Sequence, residues 1–115
     1  EPIYVIPRQR MDIKDGKSTK GLVVKHEGIM GLVKKIAQEI KLEGPINFQF
    51  IEKENDSLYF LEVNPRVAGG MALGMAASEN WINPIINNFI LNNSIEPKPV
   101  KYNLRMMRYY AECFI

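Results

Sequence analysis

The chain has 115 residues, a formal net charge of +2 and 46% hydrophobic residues. That is enough apolar matter for a core, and too little charge, too evenly spread, to mark a binder of nucleic acid or of a membrane surface. Its one cysteine, Cys113, excludes an internal disulfide and a cysteine-based zinc cluster and fits a reducing, cytoplasmic compartment. Without a signal peptide, a membrane-length apolar run or a repeat, residues 1–115 read as one domain.

Ile3 to Ile6 is strand-like. Arg8 to Lys14 and Ser18 to Lys25 predict two strands joined at Lys14-Asp15-Gly16-Lys17, because Asp-Gly supplies the positive φ angles of a tight hairpin. Arg8 and Arg10 share one face of the first strand, and alternation does not separate them. His26, the only histidine, falls at the strand-to-helix turn and suits a capping or solvated role. Ile29, Leu32, Val33, Ile36, Ala37 and Ile40 then recur at helical spacing, with Lys34, Lys35, Gln38, Glu39 and Lys41 opposite. This predicts a helix that covers one face of a sheet and is stopped by Gly44-Pro45.

Ile46 to Ile51 alternates Ile46, Phe48 and Phe50 against Asn47 and Gln49, and Lys53 to Ser57 has the composition of a hairpin turn. Leu58 to Arg66 follows, with Glu62, Asn64 and Arg66 at alternate positions and Tyr59, Leu61 and Val63 between them. The alternation predicts an apolar face against helices and a chemical face opposite. A hairpin of these two strands sets Gln49 beside Glu62. Amide and carboxylate oxygens on neighbouring strands suit a hard cation such as magnesium. The same residues also suit the solvated face of a half-exposed sheet, and Arg66 also suits capping the strand or pairing with Glu62.

Gly69 to Ala77 predicts a short glycine-rich helix starting beside that face, where free N–H groups would meet an anion. The plainer alternative is a tight turn at Gly69-Gly70 with Met71 and Met75 packed inward. Asn83-Pro84 predicts an N-cap and first-turn proline for a helix through about Leu91. A Pro97-Lys98-Pro99 linker leads to a last strand over Leu104 to Ile115, expected to join the same sheet, with Cys113 buried and Arg105 and Arg108 as surface charges. Together the elements predict an α+β fold, an antiparallel β-sheet with helices packed on one face.

Gln49, then Glu62-Val63-Asn64-Pro65-Arg66, then Gly69-Gly70, resembles the C-terminal half of an ATP-grasp domain, in the manner of carbamoyl-phosphate-synthase-like and related carboxylate–amine ligases. The resemblance covers roughly Ile6 to Ile115 and includes the opening Pro7-Arg8-Gln9-Arg10 strand and the Gly44-Pro45 before the glutamine strand. It implies ATP and magnesium, with manganese as the alternative ion. Glu62 would bridge two ions on the ATP phosphates, Asn64 would hold one and Gln49 the other, and Gly69 and Gly70 would line the cofactor. Arg66 would face the transferred phosphoryl group or the acyl phosphate, and Arg10, favoured over Arg8, would face phosphate or the substrate carboxylate.

In such ligases no protein nucleophile is needed. The substrate carboxylate attacks ATP and an amine displaces phosphate from the acyl phosphate, so cations and positioning carry the catalysis. The resemblance also implies that the adenine-binding N-terminal half, a glycine-rich loop and lysines lie elsewhere in the same chain or in a split partner. The expected partners are therefore that missing part and small-molecule carboxylate and amine substrates, with no nucleic acid and no membrane. Two other classes compete. One is a catalytically silent descendant that binds nucleotide or peptide; the other is a single-stranded RNA binder stacking bases on Phe48, Tyr59 or Phe60, which lacks a basic stripe.

Overall fold

The Asp-Gly turn sets the first piece of architecture. In the computed structural model, which describes residues 1–115, Asp15 and Gly16 have φ of 50° and 73° and join β1 (Arg8–Lys14) to β2 (Lys17–Val23). This double left-handed turn matches the twist of the strands it connects. The β1–β2 ladder slips twice, leaving Met11 of β1 and Thr19 of β2 as unpaired extra residues. A short β5 (Arg105–Met107) pairs with the other edge of β2, giving the order β1-β2-β5.

Helix α1 (Glu27–Ile40) begins two residues earlier than the apolar spacing predicts, because His26 caps it: its Nδ1 accepts from the Ile29 N–H at 3.1 Å. The helix ends at Ile40 with Lys41 left-handed, ahead of Gly44-Pro45. Strands β3 (Asn47–Glu52) and β4 (Leu58–Asn64) follow as a separate two-stranded antiparallel ladder. The protein is thus α+β and antiparallel, as the patterning predicts, but its strands divide between two sheets.

The densest packing lies under α2 (Met71–Ala77), where Leu73 and Ala77 meet Val23 in the core, flanked by Ile6, Val100, Tyr102, Leu104 and Met106. So α2, rather than α1, closes over the three-stranded sheet. A methyl placed on Gly74 would lie 2.6 Å from Trp81 Cη2, so glycine is what lets the indole lie across α2. The Trp81 Nε1–H donates to Ser78 Oγ at 3.0 Å. The next helix, α3 (Ile82–Ile85), starts at Ile82 instead of being capped by Asn83, and runs into a π-helical turn over Ile86–Ile90.

Four further expectations need correction. Ile3 to Ile6 forms no strand. The last strand stops at Met107 because residues beyond it find no ladder partner, and Cys113 is exposed instead of buried. Tyr59 and Leu61, expected against a helix, are about half exposed. Apolar surface is left open more widely: the total accessible area is 8735 Å², against roughly 6,400 Å² for a compact globule of this mass, and the radius of gyration is 15.3 Å against about 13 Å.

Candidate metal and phosphate site

The β3–β4 register sets the site. Asn47 faces Asn64 and Gln49 faces Glu62, but Phe50 then pairs with Phe60, so Leu61 is an extra, bulged residue. Partners across a ladder point to one side. Asn47, Gln49, Glu62 and Asn64 therefore share a polar face, while Phe48, Val63, Phe50 and Phe60 share the other, where the two phenyl rings meet edge-on at 5.7 Å. The bulge overturns the simple alternation of β4: Tyr59 pairs with Ile51 and falls on the side of Gln49 and Glu62. Its ring lies 4.4 Å beneath the Lys53 ammonium.

On the polar face, Glu62 Oε1 accepts from the Gln49 side-chain amide and from Asn64 Nδ2, the latter at 2.9 Å. Gln49 Oε1 accepts in turn from Arg10 Nη1 at 3.3 Å, and Arg10 Nη2 donates to the Gly16 carbonyl at 3.0 Å. Arg10, Gln49, Glu62 and Asn64, drawn from both sheets, thus form one exposed network. A carboxylate and two carboxamides make an oxygen-rich donor set of the kind magnesium takes, with phosphate oxygens and waters supplying the remainder. A half-turn of the Gln49 amide would bring its oxygen to Glu62's side. The donor set therefore fits a hard cation, and there is no cluster of three or more His, Cys, Asp or Glu side chains to compete for one.

The other expected residues lie apart from this network. Arg66 Nη1 donates to the Val67 carbonyl at 3.1 Å, within its own turn. Gly69 and Gly70 form the turn into α2, and the Gly69 carbonyl accepts from Arg108 Nη2. Arg105 and Arg108 are exposed, as expected, but the grip of Arg108 on Gly69 had no signal in the local sequence because it depends on how β5 docks. Arg8 separates from Arg10: its guanidinium is tucked against α2, and burial lowers its pKa. His26 Nε2 and Glu52 Oε1 are 2.8 Å apart, tying the start of α1 to β3.

Comparison with known proteins gives one result of weight. The family model described as "ATP-grasp in the biosynthetic pathway with Ter operon" matches residues 1–111. No curated protein matches the chain significantly.

Proposed function

The chain belongs to the ATP-grasp family, a ligase family, and from that premise we propose that it supplies the metal- and phosphate-holding part of an ATP- and magnesium-dependent carboxylate–amine ligase of the carbamoyl-phosphate-synthase-like kind. The carrying observation is the convergence of Arg10, Gln49, Glu62 and Asn64 on one face. Glu62 would bridge two ions, with Gln49 and Asn64 each completing one; manganese would fit the same oxygens. When bound, the ions would neutralise the β and γ phosphate oxygens as charge develops. Arg10 would orient Gln49 and stand ready for an oxyanion, and Arg66 would reach the phosphoryl group by releasing the Val67 carbonyl. Gly69 and Gly70 would let the backbone approach the phosphates.

The open apolar surface supports a further part of this reading. An accessible area well above that of a compact globule, with Phe89, Ile90 and Leu91 uncovered on one side and Ile51, Tyr59 and Leu61 on another, suits a chain whose faces are covered by an adenine-binding half, in the same polypeptide or in a split partner. The exposed thiol of Cys113 suits the reducing cytoplasm.

The test is the unfolding midpoint of the chain with ADP and magnesium, with ADP and EDTA, and with neither. A ligand that binds only the folded state raises the midpoint. Magnesium-dependent stabilisation in wild type, lost in Glu62→Gln, is the expected result. Equal stabilisation in Glu62→Gln would remove Glu62 from the site. Absence of any shift when the adenine-binding half is also present would favour a catalytically silent module.

A further inference from the structure

Arg8 and Arg10 stand at alternate positions of β1, about 7 Å apart along the strand, yet their head groups go to different places. Arg10 joins Gln49 and the Gly16 carbonyl. Arg8 passes beneath α2, with Nη1 3.4 Å from where a Gly70 Cβ would lie and 3.9 Å from that of Gly74. Nη1 is enclosed and has no hydrogen-bond partner, and none of the chain's ion pairs includes Arg8. Burial is the cause acting on its pKa, with no carboxylate working against it.

A guanidinium nitrogen enclosed with no acceptor is unfavourable, and packing alone would be better served by methionine. One other buried side-chain polar atom lacks a partner, Thr19 Oγ1. Thr19 is the residue that β2 bulges out of the ladder, and Arg108 links it to the same turn. The Arg108 N–H donates to the Thr19 carbonyl at 2.8 Å and its guanidinium donates to the Gly69 carbonyl. The enclosed Nη1 of Arg8 therefore lies beside the Gly69-Gly70 turn, and Arg108 ties that turn to the strand that carries Thr19.

We propose that Arg8 forms a second oxyanion subsite under the Gly69-Gly70 turn, and that the carboxylate substrate carries a second anionic group besides the one that reacts. That second group is a carboxylate or a phosphate ester, since a guanidinium fork matches both. Arg10 belongs to the Glu62 network, where the reacting group would sit, so Arg8 serves a different part of the molecule. The identification of the ligand as substrate rests on the ligase reading; the subsite itself does not.

The test uses the full 115-residue chain without nucleotide or magnesium, so its outcome is separate from that of the ligase reading. Inorganic phosphate and, separately, acetate are titrated in at constant ionic strength while the amide resonances of Arg8, Gly69, Gly70, Gln49 and Glu62 are followed. Saturable shifts at Gly69 and Gly70 are expected, unchanged in Glu62→Gln, weakened in Arg8→Lys and lost in Arg8→Met. A stronger response to phosphate points to a phosphate ester, and a stronger response to acetate points to a second carboxylate. Without anion, Arg8→Met is expected to raise the unfolding midpoint, because it removes an enclosed guanidinium nitrogen that has no acceptor. No shift with either anion, shifts persisting in Arg8→Met as for an adventitious ion only, or a lowered midpoint in Arg8→Met would each overturn the subsite. Shifts confined to Gln49 and Glu62 would do the same while leaving the ligase reading standing.

Discussion

The α2 unit and the β3–β4 hairpin are held by different forces. Under α2, Val23, Leu73 and Ala77 are at most 3% exposed, and the bond from the Lys101 N–H to the Ala77 carbonyl, 2.7 Å, ties the C-terminal segment to the helix. The hairpin contains no buried residue. It is attached through polar links, Arg10 to Gln49 and His26 to Glu52. Apolar burial is insensitive to direction, whereas polar links fix geometry and yield when a better partner arrives. The proposed metal and phosphate site thus falls on the element with the weaker, more directional attachment, where a cation or phosphate would replace protein–protein bonds with little loss of core.

This contrast can be broken at graded cost. Leu73→Ala should destabilise the chain most, by about 3 kcal/mol, since it empties a site between α2 and β2. The matching truncation on the hairpin, Phe60→Ala, should cost about 1 kcal/mol, chiefly the ring pair with Phe50; comparable losses in denaturant titrations would abolish the distinction. Next, His26→Ala should cost about 1 kcal/mol, through the lost cap on α1 and the lost tie to Glu52, and should speed hydrogen exchange in the first turn of α1.

A smaller effect is expected at high pH. Burial, followed by donation to Glu79, raises the Tyr4 phenol above its ordinary 10.0, against a lowering contribution from the Lys98 N–H. The folded chain therefore holds this proton more tightly than the unfolded chain. The stability this lends is complete below pH 10 and is lost as pH rises through the folded value. Tyr4→Phe should flatten that decline, and an unchanged alkaline limb would show that the contact contributes nothing. The smallest effect on stability belongs to Glu62→Gln, within about 0.5 kcal/mol, because the side chain is exposed and glutamine keeps the shape; its consequence should fall on magnesium-dependent nucleotide binding.

Much of this was legible in the residues themselves. Asp15-Gly16 announced the first hairpin, the α1 periodicity its helix, and the polar alternation of Gln49, Glu62 and Asn64 their meeting across two strands, since strand period and turn chemistry are local. What was not legible depends on tertiary placement. Nothing near Arg8 or Arg10 foretold that one would go under α2 and the other to Gln49. The division into two sheets hinges on β5 choosing the edge of β2, and its early end follows from the lack of a further partner strand. Leu61 is apolar like Phe60 and Val63 around it and carries no turn or bulge signal, so its extra place in β4 was invisible until the register was known.

That extra place bears on how the strand tolerates changes in length. A regular strand shortened or lengthened by one residue reverses which side every later residue faces. In β4 the surplus is already absorbed at Leu61, between the polar pair Gln49–Glu62 and the aromatic pair Phe50–Phe60. Deleting Leu61 would therefore leave both pairs facing as they do now, whereas deleting Val63 would turn Asn64 away from Glu62. Single-residue indels should be neutral to the presentation of the carboxylate at one point of the strand and ruinous two residues later.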